Sequence, residues 1–322
     1  MESMRLGQAG LHVSRLALGT INFGSELDEQ ASFAIMDRAA DMGIYHIDVA
    51  DMYPAPESPG SWGRSEIIVG NWLKGKQRDQ YVVASKCVAR VGTGPNDIGG
   101  SRKHIIEACE KSLRRLGTDR IDLYYLHRSD VLDAPFEESL AALDHLVRQG
   151  KVLYLGVSNF SAWQVALLVE IIAKEHFTPL TALQDRHNLV CRQNERDLYP
   201  LAQAKGFGLL AYNPVAAGML AGLFKRGDPI PEAGRFTMPV YQERYFHDEV
   251  YDVVDEVRDC AFLLGVPMAQ VALAWILSQD FGVSPIVGAL VPEHFDDTEA
   301  ALELKIPDEI MQRLNKASSA FV

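Results

Sequence analysis

The chain has 322 residues, 48% of them hydrophobic and 23% charged, with a formal net charge of -12. That balance supports a large buried core and argues against disorder. The acidity argues against nucleic acid or an anionic membrane surface as partners, because both need basic patches.

The length allows two domains, but single α/β barrels also reach this size, and one domain over residues 1–322 is the expectation. Met4–Val13 reads as a small hairpin around Gln8–Gly10, placed to plug a barrel floor. Strand-like runs then follow at Arg15–Thr20, Tyr45–Ala50, Tyr81–Lys86, Ile121–His127, Tyr154–Asn159, Leu180–Asp185, Phe207–Pro214 and Val283–Gly288. Most are almost continuously apolar, as parallel strands covered on both faces should be. Helical patterns separate them at Glu29–Met42, Ser101–Gly117, Phe136–Gly150, Ser161–His176 and Asp197–Gly206, then as a pair at Glu249–Gly265 and Met268–Gln279. Ser101 and Ser161 are candidate N-caps, and Gly117 and Gly150 candidate stops. One more short helix is expected in the tail, within Pro307–Val322. Strands alternating with helices in this number give a (β/α)₈ TIM barrel more naturally than an open sheet. Gly218–Asp248 is a long insertion after the seventh barrel strand, and loops of that length are usually lids or binding loops.

The four cysteines, Cys87, Cys109, Cys191 and Cys260, show no metal-ligand spacing, so neither a zinc site nor a disulfide framework is expected. The opening MESMRLGQAG lacks the apolar core of a signal peptide, and runs such as VALLVEIIA are too short to span a bilayer. The expectation is a soluble cytoplasmic protein.

Four polar residues stand at the ends of three consecutive strands. They are Asp48 in YHIDVA, Tyr53 five residues later, Lys86 closing YVVASK and His127 closing IDLYYLH. In such a barrel the carboxyl ends of neighbouring strands, about 4.8 Å apart, hold the catalytic groups. A phenol has a pKa near 10, and a nearby ammonium favours its phenolate, so Lys86 would lower the Tyr53 pKa. Asp48 would keep Lys86 charged and oriented, while His127 donates to a substrate carbonyl or relays the proton. The set polarises a C=O and protonates its oxygen. A nicotinamide is the natural source of the hydride.

At these residues the chain resembles the aldo-keto reductase family over nearly its whole length. The resemblance is carried by GIYHIDVADMY, SLRRLGTDRIDLYYLH, VLYLGVSNFS and AYNPVAAGML. GRSEIIVGNWL and YQERYF look most like the bacterial aryl-alcohol-dehydrogenase-like and deoxysugar-reductase branch. The resemblance implies that Asp48, Tyr53, Lys86 and His127 are the catalytic tetrad, with Tyr53 as proton donor. It implies that Ser158, Asn159 and Gln184 bind the nicotinamide carboxamide and that Tyr212 stacks on its ring. Pro214, Gly218, Leu220 and Gly222 would follow the pyrophosphate, and Arg235, Gly288, His294 and Thr298 complete the cofactor set.

At the adenosine end the sequence departs from the family pattern. Gly288-Ala289 is followed by Leu290 and Val291 where a Lys or Arg for a 2′-phosphate is common, and Leu223 replaces another frequent lysine. Lys225, Arg226, Arg235 and a protonated His294 are the candidate replacements, while Glu293, Asp296 and Asp297 would repel a phosphate. NADP(H) stands slightly ahead of NAD(H) on the family habit. For the substrate pocket the candidates are Phe23, Trp62, Arg128, Phe160 and Tyr245, with Pro54, Trp163 and Tyr241 beside them. Arg128 points to a polar or anionic substrate, or else pairs with Asp130 at the surface. The expected partner is a small carbonyl or alcohol; a homo-oligomer is left open. Two other functions compete: a cofactor-binding regulatory module of the channel beta-subunit type, and an aldolase or lyase using Lys86 as a Schiff base, which the adjacent Asp48 disfavours.

Overall fold

The computed structural model describes residues 1–55, 60–232 and 234–322. An antiparallel hairpin of β1 (Ser3–Arg5) and β2 (His12–Ser14) opens the chain, with Met4 opposite Val13. Eight parallel strands then close into a barrel: β3 (Ala17–Gly19), β4 (His46–Asp48), β5 (Val82–Cys87), β6 (Ile121–Leu126), β7 (Val152–Ser158), β8 (Leu180–Arg186), β9 (Gly208–Tyr212) and β10 (Val283–Val287). Strands are neighbours in chain order, and β10 returns to pair with β3. Between successive barrel strands run α1 (Glu29–Asp41), α2 (Arg64–Leu73), α3 (Arg102–Leu116), α4 (Phe136–Arg148), α5 (Ala162–Glu175) and α6 (Leu198–Lys205). Three helices, α7 (Pro239–Tyr245), α8 (Asp248–Leu264) and α9 (Met268–Leu277), lie between β9 and β10; α10 (His294–Glu303) and α11 (Asp308–Ala317) follow. The protein is thus the (β/α)₈ barrel that its strand and helix alternation implies.

Local chemistry fixes the element ends. Asp28 accepts from the Ala31 N–H at 2.8 Å to cap α1, and Ser101 accepts from His104 N–H at 3.2 Å to cap α3. Ser161 and Gln164 form a reciprocal capping box at α5. Gly117 ends α3 in the left-handed conformation. Three helices escape the periodicity: α2, in the segment that opens GRSEIIVGNWL; α7, inside the insertion; and α10, whose HFDDTEAALE has weak amphipathicity. Part of the loop before α2, residues 56–59, lies outside the described residues.

The barrel interior is filled by Ala17, Val82, Ala84, Leu123, Tyr125, Ala182, Leu210 and Ile286, and the hairpin adds Leu6 and Val13 from below. The floor is sealed by backbone contact. Gln8 N–H donates to Gly206 O at 2.8 Å, and Gly7 has φ +59 with no room for a Cβ, which would stand 2.4 Å from that same oxygen. A larger core lies between strands and helices. Among the described residues no single helix is long and apolar enough to cross a membrane.

One buried charge ties the outer layer to the strand that carries Lys86. Glu66 on α2 is fully buried; Ser85 Oγ on β5 and Arg115 Nε on α3 both donate to it at 2.6 Å. Removing the arginine would strand a carboxylate in the core, where a broken buried pair costs about 3–5 kcal/mol. Partial exposure of Arg115 places the effect near the lower end. Arg115→Met is therefore expected to lower the unfolding free energy by about 3 kcal/mol in urea titration. An unchanged midpoint would refute the pairing argument.

Candidate active site

Register brings the four polar residues to one rim. Asp48 on β4 pairs with Ala84 on β5, and Lys86 on β5 pairs with Tyr125 on β6. Because side chains alternate between faces, Asp48 and Lys86 both point into the barrel at its carboxyl end. Both are essentially excluded from solvent, with Lys86 at 0% and Asp48 at 2% exposure.

The Lys86 ammonium has three donors and uses all three: Asp48 Oδ2 at 2.5 Å, Val49 O at 3.0 Å and Tyr53 OH at 3.3 Å. The second Asp48 oxygen accepts from Gln184 Nε2 at 2.7 Å. The Tyr53 and His127 rings meet edge-on, 5.8 Å apart between centroids. All four groups, and Gln184, therefore share one corner of the barrel mouth.

Electrostatics assigns their protonation. Burial would pull the Lys86 pKa down, but Asp48 and Tyr53 outweigh it and the net shift is upward, so the ammonium is charged. Tyr53 differs from the expectation. Burial pushes its pKa up, Lys86 pulls it down, and burial wins, so the phenol keeps its proton at neutral pH. The His127 imidazole is held well below its ordinary value by burial, then by Lys86 and Arg128, and is neutral. Its Nδ1 is buried without a partner among the described residues. A bare acceptor is cheaper to bury than a bare N–H, so the proton belongs on Nε2.

A cavity of about 1030 Å³ opens above this corner. It runs from Asp48, Tyr53 and His127 past Ser158, Asn159, Gln184 and Tyr212, along Pro214 and Gly218, to Gly288, His294 and Thr298. Tyr212 OH donates to Asn159 Oδ1 at 2.7 Å, and Asn159 Nδ2 donates to His127 O at 2.9 Å, which links the aromatic to the tetrad. Leu220 and Gly222 do not line the cavity; Leu220 is buried, and Ala221 and Leu223 take the wall. The N–H groups of Gly218, Leu220 and Gly222 donate locally, to Val215 O and Met219 O. Gly218 itself has φ +99.

Arg235 lines the cavity but donates to Asn22 Oδ1 at 2.6 Å. Arg226 turns away to Asp248 and to Asp252 at 2.5 Å, and neither it nor Lys225 reaches the cavity wall. Of the substrate candidates, Arg128 lines the cavity and is paired with Asp130. Phe23, Phe160 and Tyr245 are buried behind the wall, Phe160 against Phe136 and Tyr245 as acceptor for Asn213 Nδ2 at 2.6 Å. Trp62 is half-buried and Trp163 exposed, and neither lines it. Tyr241 does. Sequence reasoning missed Thr20, Asn22, Val215, Phe224 and Phe236 on the wall. The signal for Thr20 was its place directly after LALG at a strand end.

The arrangement can bind an extended, flat-ended ligand and protonate an oxygen at one end of it. Comparison with known proteins agrees in kind. The model of the Aldo/keto reductase family matches residues 15–319. The uncharacterized oxidoreductase YrpG of Bacillus subtilis is 35% identical, over 98% of this chain and 95% of its own. Versiconal hemiacetal acetate reductase of Aspergillus parasiticus is 33% identical over 98% and 96%. A probable voltage-gated potassium channel subunit beta of Oryza sativa is 33% identical over 94% and 92%.

Two buried imidazoles, one below the site and one outside it, make stability depend on pH. His46 shares the inward face of β4 with Asp48, and burial lowers its pKa from 6.5 to about 4. His187 is lowered likewise to about 4. A lowered folded-state value means that the unfolded chain binds protons the folded chain refuses. That stability is fully present above pH 6.5 and is lost as pH falls toward 4. The unfolding free energy should fall by roughly 1 kcal/mol per pH unit for each such group within that window. His46→Gln should flatten the slope; the same slope in variant and parent would count against this account.

Proposed function

The chain belongs to the Aldo/keto reductase family and is an NAD(P)H-dependent oxidoreductase of that type, and on this premise we propose that it reduces an aldehyde or ketone to an alcohol with Tyr53 as the proton donor. The observation that carries the proposal is the contact of a charged, fully buried ammonium with a protonated phenol at the mouth of the cavity.

The residues present fit the cofactor. The cavity, of about 1030 Å³, extends from the tetrad to His294 and Thr298, and Tyr212, Asn159 and Ser158 offer a flat ring and carboxamide partners beside the tetrad. When bound, the nicotinamide supplies a hydride to the carbonyl carbon. The protein's own residues do the rest. His127 offers its Nε2–H to the carbonyl oxygen and fixes its position. Tyr53 transfers its proton to that oxygen as negative charge develops there. The phenolate left behind is stabilised by the Lys86 ammonium 3.3 Å away, and Asp48 keeps that ammonium in place. Gln184 holds the outer Asp48 oxygen; to serve a carboxamide it would share or exchange that bond.

For the nucleotide, the family habit favours NADP(H), but the chemistry of this rim supports NAD(H). A 2′-phosphate asks for charge-assisted donors. The wall at Leu290, His294, Asp297 and Thr298 carries no Lys or Arg, and Arg235 is bonded to Asn22. Asp297 would repel the dianion.

Similarity to a probable channel beta subunit does not separate an enzyme from a binding module, since the module would carry the same tetrad; turnover does. Tyr53→Phe should lower kcat by about 10²- to 10⁴-fold, the usual worth of a positioned acid, with cofactor binding nearly intact. Parent-like turnover in that variant, followed at 340 nm with a nitrobenzaldehyde, would remove Tyr53 from the mechanism. Fluorescence titration should show NADH binding at least as tightly as NADPH. NADPH tighter by about tenfold, or 1.4 kcal/mol, would overturn the rim argument.

A further inference from the structure

Beside the main cavity lies a smaller polar one of about 140 Å³. Tyr212, Asn159 and Arg244 border both spaces, so the small one is a notch off the mouth. Its other walls include Arg186, Gln193 and Asn194.

The notch is built around two guanidinium groups that lack carboxylate partners among the described residues. Arg186 is the last residue of β8 and pairs in register with Tyr212 on β9. It stands two residues beyond Gln184, on the same inward face, and so leans over the barrel mouth. Its Nε donates to Cys191 Sγ at 3.0 Å; its two terminal nitrogens have no acceptor among the described residues. Arg244 sits on α7, with its guanidinium 5.8 Å from the Tyr241 ring centroid. No acceptor for its guanidinium occurs among the described residues either, and among them no carboxylate lies within 4.0 Å of either arginine. By contrast Arg128 and Arg226, at the surface, are paired with carboxylates. The amides of Gln193 and Asn194 complete the wall.

We propose that this notch is an anion subsite that receives the carboxylate or phosphate of the substrate while the carbonyl of the same molecule reaches Tyr53 and His127. The inference rests on the reductase reading and adds the substrate class to it. Two guanidinium forks converging with amide donors match the geometry of an oxyanion group. Arg244 lines both the notch and the main cavity that holds Tyr53 and His127, so the two ends open onto the same mouth. Asp185 also lines the notch, on the opposite face of β8 from Arg186 by the two-residue alternation. Burial pushes its carboxyl above the usual range, against the pull of the Asn159 backbone. Arg128, the cation that the sequence offers for an anionic substrate, is committed to Asp130 in a bidentate pair.

The test compares aldehydes that differ only in the anion, with cofactor saturating: 4-oxobutanoate and 6-oxohexanoate against butanal and hexanal, and glyceraldehyde 3-phosphate against glyceraldehyde. The parent protein should show a higher kcat/KM for at least one anionic member, with the preference falling as salt rises. Preference for the carboxylates alone or the phosphate alone identifies the anion. Arg244→Gln should lose roughly 10- to 100-fold in kcat/KM for the preferred anionic substrate, mostly through KM, and leave its neutral partner unchanged. Arg186→Lys, which keeps the charge but not the fork, should lose less than Arg186→Gln. Equal loss on charged and neutral aldehydes, or no anion preference in the parent, overturns the subsite. Reduction of none of the aldehydes would instead sink the reductase reading, so the two failures are distinct.

Discussion

A fully buried ammonium is the constraint around which this structure is organised. Lys86 cannot be charged inside a barrel unless every donor is met, because an isolated buried charge neutralises instead. Asp48, the Val49 carbonyl and Tyr53 meet them, and Gln184 meets the remaining Asp48 oxygen. Those partners come from β4, the loop after it and β8, so the charge is stable only once the barrel has closed. A pair of this kind contributes little net stability compared with apolar packing. Its cost makes sense as preparation for chemistry: it holds a cation beside a phenol that is itself kept protonated by burial.

The opposition between burial and charge runs through the site. Burial raises the Tyr53 pKa and lowers those of His127 and His46, while Lys86 acts on all three. The outcome is a loaded acid, a neutral hydrogen-bond donor and one fixed positive charge. That combination suits a carbonyl oxygen that must gain a proton without the site itself being acidic in the resting state.

The segment after β9 supplies the cover. Phe224, Phe236 and Phe246 pack against one another with centroids 4.8–5.9 Å apart, and Arg235 reaches across to Asn22 beyond β3. A loop of this length keeps its shape by its own aromatic cluster. The same segment brings Arg244 on α7 to the notch beside Tyr212, so the cover of the long cavity also furnishes one wall of the small one.

The barrel, the hairpin plug and the meeting of Asp48, Tyr53, Lys86 and His127 at one rim were legible in the amino-acid sequence because each depends on local pattern. Apolar runs of strand length define the barrel, Ser101 and Gly117 bound a helix, and Asp48, Lys86 and His127 follow from strand ends alone. Helix α10 was not legible, since its apolar face is narrow and its register is set by packing on α9. The pocket wall was read less well: Phe23, Phe160 and Tyr245 turned to the core, because an aromatic in a loop near a site has the same sequence signature whether it faces ligand or packing. What the sequence by itself determined is therefore which groups stand at the ends of which strands, an outcome of two-residue alternation and chain order. What only the tertiary structure decided is which charges are neutralised and which stay bare. The Arg128–Asp130 pair is local, but that Arg186 and Arg244 meet no acid among the described residues depends on distances between elements far apart in the chain, which no local pattern encodes.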